Sequence, residues 1–308
     1  MSEPAIEESF VRRCAACGAT VEVGASALST TCLYCASQLV DTERAMVAVD
    51  RVAPFRIPRT AAEDRLRAHV GNSVWAPSEL RRRARDGRMR AHALQGMLVP
   101  FYAYTASIRS RYRAQVGVLW HRTEKRTGKD GKVETHVVQE TEWFTLRGSA
   151  ADELEDHLVA ASVGLSEAES RALVPFDLGR AKPFDARLLA GWHAELPTMP
   201  RSEVDRSARQ SIRAHEETVV TRLLPGDRRR LDHLDTDVQI HRVHLVLLPV
   251  WIATYRHGPK LVRLLVNGQT GRCIGRAPIS PTKVTIAIVL AIATVLVILW
   301  LTGALRWM

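Results

Sequence analysis

The sequence predicts an α+β protein with three parts: a small cysteine-rich ribbon at the N-terminus, an antiparallel-sheet body with flanking helices, and one apolar helix near the C-terminus. Three observations support this organisation. Two CxxC pairs lie near the start of the chain, a stretch with strand periodicity lies further along, and an uncharged apolar run lies near the end. The chain has 308 residues and a formal net charge of +10, and this length predicts two or three compact units.

The paired cysteines are the strongest local signal. Fourteen residues separate the two CxxC pairs, which comprise Cys14, Cys17, Cys32 and Cys35. Each pair can aim two thiolates at one point, and the intervening segment is long enough for a hairpin that brings the pairs together. Gly18 follows the first pair, where such a turn commonly needs positive φ. Two disulfides or four unrelated thiols are the alternatives, but disulfide frameworks lack this paired spacing. We therefore predict one closed, structural Zn²⁺ site in a zinc ribbon over residues 1–45.

Composition and periodicity divide the remaining chain into three predicted parts. Residues 46–150 form a first α+β unit with a long hairpin, residues 151–281 form a second α+β unit, and residues 282–303 form a transmembrane helix. The segment Leu98–Ala103 resembles Leu247–Ile252, and each follows a helical region and begins a hairpin. We hypothesise that the body contains a duplicated helix-hairpin unit. The alternative is a coincidence between two apolar strands.

Two helices are expected at the start of the first unit. The capping-box pattern Thr60–Glu63 begins a helix that runs to about Val70. A second, arginine-rich helix begins at Pro77 and ends near Gly87, because glycine commonly follows the last turn of a helix.

A long strand is expected next, because residues 108–120 alternate between apolar and polar side chains. Arg109, Arg111 and Arg113 give the polar face a basic character. The pair Asp130–Gly131 predicts a turn, and residues 133–146 return as the partner strand. The result is a long, half-buried hairpin with a charged tip.

The second unit mixes helices and strands. Residues 149–152 resemble a helix cap, so we predict a helix or turn near residues 153–161. The longest soluble helix begins at Pro200 and ends near residue 223. Its predicted apolar face consists of Ile212, His215, Val219 and Leu223. Strands are expected over residues 238–247, 249–255, 260–266 and 272–275.

The apolar run Val284–Leu301 contains eighteen residues without a charge. A helix of this length spans about 27 Å, close to the hydrocarbon thickness of a bilayer. A buried core helix is the alternative, although few soluble helices are apolar on every face. Seven residues follow the run, so we expect a tail-anchored protein. Arg272, Arg276 and Lys283 precede it, and the positive-inside rule then places residues 1–283 in the cytoplasm. The acidic N-terminus predicts no signal peptide.

The positive charge has three interpretations. Basic runs occur at Arg81–Arg85, at Arg88 and Arg90, and at Arg228–Arg230. Such runs can contact anionic lipid headgroups or nucleic-acid phosphates, or they can form a solvated face.

Several segments together form a recognisable signature. Its C-terminal part consists of Leu247–Trp251, Tyr255–Arg256, Val266–Gly271, Gly275, Pro278, Ser280 and Lys283, and earlier segments are Pro54–Phe55, Trp75–Leu80, Gly96, Val99–Phe101, Leu189–Gly191 and Glu195. With this signature the chain resembles, over nearly its whole length, a bacterial family of membrane proteins with a zinc ribbon of the transcription-factor-IIB type. The resemblance implies a protein of the bacterial inner (cytoplasmic) membrane, without an established activity.

Members of that family are often labelled as the primosomal replication-restart helicase (primosomal protein N′, replication factor Y). This sequence has no GxxxxGK[ST] phosphate loop, since the glycines near Lys129 and Lys132 have neither the spacing nor the hydroxyl residue. We therefore expect a helicase label to be wrong about the chemistry.

No catalytic arrangement stands out in the sequence. His241 and His244 point to opposite sides of a predicted strand and are poorly placed to share a metal, and Cys273 is best interpreted as a half-buried thiol. The favoured hypothesis is a non-enzymatic, membrane-anchored adaptor that binds a protein partner not identified by the sequence. The rival hypothesis is nucleic-acid binding through the ribbon and the basic helix at residues 78–90.

Overall fold

A computed structural model describes residues 9–87, 93–127, 133–257, 260–275 and 279–301. Packing of the Cα atoms divides the chain into two compact units. Unit 1 comprises Met1–Phe101, Ser162–Thr198 and Leu245–Met308. Unit 2 comprises Tyr102–Ala161 and Met199–His244. The predicted tip of the long hairpin at Asp130–Gly131, the basic residues Arg88, Arg90 and Arg276, and the chain after Leu301 lie outside the described residues.

Twelve strands and six α-helices occur within the described ranges. The strands are β1 (Ser9–Arg13), β2 (Thr20–Gly24), β3 (Ala27–Thr31), β4 (Gln38–Val40), β5 (Arg51–Val52), β6 (Ala93–Thr127), β7 (Val133–Ala160), β8 (Lys182–Pro183), β9 (His193–Glu195), β10 (Arg228–His257), β11 (Lys260–Asn267) and β12 (Cys273–Ile274). The helices are α1 (Thr42–Ala48), α2 (Arg59–Asn72), α3 (Ser78–Arg85), α4 (Glu167–Leu173), α5 (Arg201–Leu223) and α6 (Pro281–Leu301). The fold is thus a mixed α+β structure with a sheet-rich body.

Most of the strands belong to one sheet, in which the order of neighbours is β12-β11-β10-β6-β9-β3-β4. The strand β7 pairs with β6, and β5 and β8 extend the sheet beside β10. The pairs β10–β5 and β6–β9 are parallel, so the predicted antiparallel-sheet body is a mixed sheet that includes parallel pairs. Very short strands can join a long strand in either direction, because they need only two or three backbone hydrogen bonds.

The cysteine-rich ribbon consists of two short hairpins. In the first, β1 pairs with β2, and in the second, β3 pairs with β4. The strand β3 also pairs with β9, where Ser29 lies opposite Ala194. The side chain of Gln38 donates a hydrogen bond to the carbonyl of Trp192 at 2.9 Å. The ribbon is therefore hydrogen-bonded to the sheet of unit 1.

In unit 1, helices α2 and α3 pack over the sheet through Leu66, Val70 and Leu80. The helix α2 begins at Arg59 after Pro58, and no side chain caps it. The predicted helix is therefore present but its predicted capping box is not, because proline fixes the backbone at the helix start without a capping hydroxyl.

An aromatic cluster closes the same core. The ring of Trp192 stacks on Phe55 with a centroid distance of 3.8 Å, and Trp251 packs edge-on against both rings. A Cβ atom at Gly96 would lie 2.5 Å from the Trp192 ring. Glycine is therefore required at position 96, because any side chain there would displace the indole.

The turn at residues 267–271 has a structural role. The buried amide of Asn267 donates hydrogen bonds to the carbonyls of Leu173 and Pro175 at 2.8 and 2.9 Å. Gln269 accepts a hydrogen bond from the backbone N–H of Asp177 at 2.8 Å. These side chains hold the segment after α4 against the turn, so this part of the signature satisfies buried backbone groups rather than forming a reaction site.

In unit 2, helix α5 packs on one face of a sheet formed by β6, β7 and β10. The core contains Tyr104, Ile108 and Ile212. The hydroxyl of Tyr104 donates to the carboxylate of Asp205 at 2.7 Å, and this bond fixes the start of the helix against the sheet.

The structure corrects two predictions in unit 2. Residues 153–160 continue β7 and do not form a helix or turn, because Leu154 and Val159 pack against the unit 2 core. Pairing with β6 thus overrides the helix-like composition. The apolar face of α5 is also rotated, since its buried residues are Val204, Ala208, Ile212, Glu216 and Val220. Glu216, four residues after Ile212, is buried. His215, three residues after Ile212 and part of the predicted apolar face, is exposed.

Helix α6 is long and apolar enough to cross a membrane, by length and composition, and none of its window Pro281–Leu299 is buried. Its first turn is attached to unit 1. The Nζ atom of Lys283 donates to the carbonyls of Val74 and Ala76 at 3.1 and 2.6 Å, and the backbone N–H of Ser280 donates to the Trp75 carbonyl at 2.8 Å.

Candidate metal centre

The two CxxC pairs form turns with the same backbone hydrogen bonds. In the first turn, the N–H of Cys14 donates to the carbonyl of Ala19 and the N–H of Gly18 donates to the carbonyl of Cys14, both at 2.8 Å. The second turn repeats both bonds at equivalent positions, where Cys32 and Ala36 are the donors at 2.8 and 2.9 Å. The two turns are therefore local copies of one knuckle geometry.

The fourth residue after the first cysteine adopts a left-handed backbone conformation in both knuckles. Gly18 has φ 74° and Ala36 has φ 59°. This conformation is easy for glycine and unfavourable for alanine. Gly18 is recognisable from the sequence because it is a glycine. Ala36 is recognisable only because it follows Cys32 by the same four residues by which Gly18 follows Cys14.

The knuckles bring four sulfur atoms together. All four lie within 4.8 Å of one another. The Sγ–Sγ distance is 3.7 Å between Cys14 and Cys35 and 3.8 Å between Cys17 and Cys32. Four sulfurs at about 2.3 Å from a tetrahedral ion are separated by about 3.8 Å. The cluster therefore has the size that a tetrahedral metal ion requires.

Ser37 lies beside two of the thiols. Its Oγ is 3.2 Å from the Cys14 Sγ and 3.0 Å from the Cys35 Sγ. Hydrogen bonding to Ser37 lowers the pKa of the Cys14 thiol to about 6 and also lowers the pKa of Cys35. These two cysteines are therefore easily deprotonated to the thiolate form that binds metals.

The pKa of Cys17 shifts in the opposite direction. A hydrogen bond to the Ala19 backbone lowers it, but hydrogen bonding to Cys35, burial and the remaining thiols together raise it to about 12. Four adjacent thiolates repel one another in the absence of a cation. A bound divalent cation would remove this repulsion and hold all four sulfurs in the ionised state.

Burial differs between the two members of each pair. Cys14 and Cys32 are buried, whereas Cys17 and Cys35 are exposed. The buried pair packs with Val21. All four potential ligands come from the protein, and four thiolates complete a tetrahedral shell, so the arrangement suits a structural metal better than a catalytic one.

Asp41 links the two hairpins beneath the cluster. Its backbone N–H donates to the Leu28 carbonyl at 2.7 Å. Its carboxylate accepts a hydrogen bond from the Nε of Arg44 at 2.6 Å and lies 2.5 Å from the guanidinium of Arg12. Arg44 also donates to the Ala27 carbonyl at 3.0 Å. Neither this ion-pair network nor Ser37 was predicted from the sequence, and the Asp-Thr-Glu-Arg start of α1 is the signal that indicates the network.

The other candidate residues do not join this centre. The Nε2 of His241 forms a hydrogen bond with the Oγ of Ser107, and Cys273 is a partly buried thiol. Burial raises the pKa of Cys273 to about 12, so it is not a reactive thiolate at neutral pH.

Comparison with known proteins provides one relative. The chain is 26% identical over 257 residues to "Uncharacterized protein YdjG" of Bacillus subtilis (strain 168), which covers 81% of this chain and 69% of that protein. No family model and no solved structure matches the chain. The label of a primosomal helicase therefore has no support in these comparisons.

Proposed function

We propose that this protein is a zinc-ribbon adaptor anchored in a membrane by α6, in which the ribbon binds a protein partner. Zinc is the proposed metal because four thiolates in a closed tetrahedral shell select Zn²⁺ or iron, and Zn²⁺ is the usual ion of structural ribbons. Metal analysis of the purified full chain should find about one Zn per chain. Iron as the resident ion, or a folded ribbon without metal, would contradict this assignment.

The observation that carries the adaptor proposal is the exposed pair Leu33 and Tyr34. These residues lie between the cysteines of the second knuckle, and their exposed fractions are 89% and 74%. The first knuckle carries the small residues Ala15 and Ala16 at the equivalent positions. A metal at both flanking cysteines would fix the backbone here, so the two apolar side chains would reach a partner without a large entropy cost. An adjacent pair of large exposed apolar residues is suited to a protein contact.

Membrane attachment is the second part of the proposal. The exposed apolar helix α6 crosses the bacterial inner membrane, and Lys283 marks the cytoplasmic end by the positive-inside rule. Replacement of Ile292 with Arg near the middle of α6 should release the protein from membranes, because Arg at that depth costs about 3 kcal/mol. The control is Ile279→Arg, just before the helix. Carbonate extraction measures both variants, and full membrane retention of Ile292→Arg would contradict a spanning helix.

Site-specific photocrosslinking tests the partner surface. A photoreactive amino acid at position 34 of the full-length protein in native membranes should give a discrete crosslinked product with a protein. The same probe at Ser202 on α5 is the control. The product should disappear when Leu33→Ser is added and when Cys32→Ser disrupts the metal site. A product that survives both changes would show that the knuckle is not the contact surface.

Nucleic-acid binding is the second candidate function. Its specific support is helix α3, which carries four arginines within Ser78–Arg85. Arg83 pairs with Glu79, whereas Arg82 and Arg85 are exposed. This function predicts affinity for an oligonucleotide that falls steeply with salt and weakens in an Arg82→Gln, Arg85→Gln double variant. Salt-independent or undetectable binding in a filter-binding titration would eliminate it.

A further inference from the structure

A group of cations on unit 2 lies outside the regions that the proposed adaptor function uses. Arg111 and Arg113 occupy alternate positions on β6, so their side chains lie on the same face of the sheet. Together with neighbours on β7 and β10 they border an open depression with a volume of about 480 Å³. The lining residues are Arg111, Tyr112, Arg113, Arg147, His233 and Asp235.

The three arginines have no carboxylate partner within the described residues. Other exposed arginines of the described chain do have one: Arg122, for example, lies 2.9 Å from Glu140, and Arg187 lies 2.5 Å from Asp185. Three guanidinium groups around one depression repel each other, and an anion would relieve this repulsion. The depression therefore has the charge of an anion-binding site.

The charge and donor geometry favour a phosphoryl group. Three arginines against the single carboxylate of Asp235 leave an excess of positive charge at the depression. A phosphate monoester carries a charge of about −1.5 to −2 at neutral pH. Guanidinium groups also bind phosphate oxygens through two parallel hydrogen bonds, which a smaller halide ion cannot accept.

The strand segment that carries the two arginines is packed against the neighbouring strand. A Cβ atom at Gly148 would lie 2.5 Å from the hydroxyl oxygen of Tyr112. The Tyr112 ring therefore lies against the backbone of β7, next to Arg147. This contact holds Tyr112 on one face of the sheet, so the flanking Arg111 and Arg113 lie on the opposite face, which is exposed.

We propose that this depression binds a phosphoryl group, carried either by a soluble phosphate ester or by a phospholipid headgroup. Arg111, Arg113 and Arg147 contact the phosphate oxygens. The site is independent of the metal centre and of the partner that the ribbon binds, so failure of the adaptor hypothesis leaves it intact.

The test uses the full-length protein in nonionic detergent with inorganic phosphate as the probe, measured by calorimetry at constant ionic strength. Saturable binding is expected, and Arg113→Gln or Arg147→Gln should each weaken it by about tenfold, because each removes a charge-assisted hydrogen bond. Arg206→Gln on α5 is the matched control and should bind as the wild type does. Arg147→Lys should recover part of the affinity, since it restores the charge without the planar fork. Circular dichroism confirms that each variant is folded.

A second arm identifies the source of the phosphoryl group. The protein is placed in nanodiscs of phosphatidylcholine with or without phosphatidate, and phosphate binding is measured again. Weaker phosphate binding in the phosphatidate discs supports the lipid headgroup, and unchanged binding supports a soluble ester. No saturable binding in detergent, or equal binding in wild type and both glutamine variants, would overturn the proposal. An oligonucleotide that binds while inorganic phosphate does not would also overturn it, in favour of an extended nucleic-acid surface.

Discussion

Single residues in the two cysteine knuckles influence how well the ribbon could hold a metal ion. Gly18 and Ala36 occupy equivalent positions with positive φ, but only one of them is glycine. An added Cβ at Gly18 would meet only the end of the Arg13 side chain, at 3.9 Å. Space is therefore not limiting in the first knuckle, and the backbone conformation alone decides the effect of a substitution there.

Replacement of Ala36 with Gly should stabilise the metal-bound ribbon by about 1 kcal/mol, because it removes the cost of a left-handed alanine. The greater conformational entropy of glycine in the unfolded state offsets only part of this gain. The expected result is a Zn²⁺ affinity roughly fivefold higher, measured by chelator competition. The reciprocal variant Gly18→Ala should lower the affinity. A decrease for Ala36→Gly would show that the two knuckles are not equivalent.

Asp41 makes the stability of the ribbon dependent on pH. Burial raises its pKa, but hydrogen bonds from Arg44 and the charges of Arg12 and Arg44 outweigh burial and hold the pKa below the ordinary value of 3.8. A carboxylate with a lowered folded-state pKa contributes stability above its unfolded-state pKa, and this contribution is lost as the pH falls through the folded-state value.

The variant Asp41→Asn should therefore lower the free energy of unfolding by about 1–2 kcal/mol at neutral pH and have little effect once the pH is below the folded-state pKa. Denaturant titrations at several pH values provide the measurement. Glu43→Gln, in the same helix turn, is the control. An equal loss of stability at neutral and acidic pH would contradict the role of the Asp41 charge.

At the scale of elements, helix α5 contains a polar residue within its buried face. Glu216 is fully buried, and neither carboxylate oxygen has a hydrogen-bond partner in the described structure. It lies between Ile212 and Val220 on the stripe that packs on the sheet. A buried carboxyl group without a partner is destabilising.

Replacement of Glu216 with Leu should raise the free energy of unfolding by about 2 kcal/mol, because the substitution removes an unpaired buried polar group and adds apolar contacts. Urea denaturation followed by circular dichroism gives the value. The neighbouring Glu217 is exposed, so Glu217→Leu should change stability little. A loss of stability in Glu216→Leu would mean that Glu216 binds an ion or another group in solution.

Other elements were predictable to different degrees. The strand β6 alternates regularly from Ile108, and its inward-facing positions are buried or half-buried through Val116. Residues 153–160 lack such a pattern, and only pairing with β6 makes them a strand. The two segments differ in predictability because period-two alternation is a property of one segment, whereas strand pairing depends on a partner that is distant in sequence.

At the scale of the whole molecule, the ribbon and the body of unit 1 share a sheet, since β3 pairs with β9 and β9 pairs with β6. Metal binding should therefore influence residues beyond the ribbon. The predicted domain limits at residues 45, 150 and 281 stay predictions. They divide the chain in sequence order, whereas each compact unit combines segments that are distant in sequence.

Removal of the metal with a chelator, or the variant Cys14→Ser, should increase hydrogen exchange in the ribbon and also in β9, because the β3–β9 hydrogen bonds depend on an ordered ribbon. The backbone amides of α5 serve as the control and should keep their protection. Mass spectrometry of peptides from both regions measures the effect. Unchanged exchange at β9 would show that the ribbon unfolds without affecting the unit 1 sheet.

Spacing, hydropathy and alternation are local properties of the chain, so the sequence alone predicts the four-cysteine cluster, the apolar helix α6 and the periodicity of β6. The tertiary structure adds that Ser37 lies beside the thiols, that Asp41 joins two hairpins, that Glu216 is buried and that three arginines border one depression. Each of these depends on contacts between residues far apart in sequence, and such contacts are selected by packing of the whole chain rather than by any local pattern.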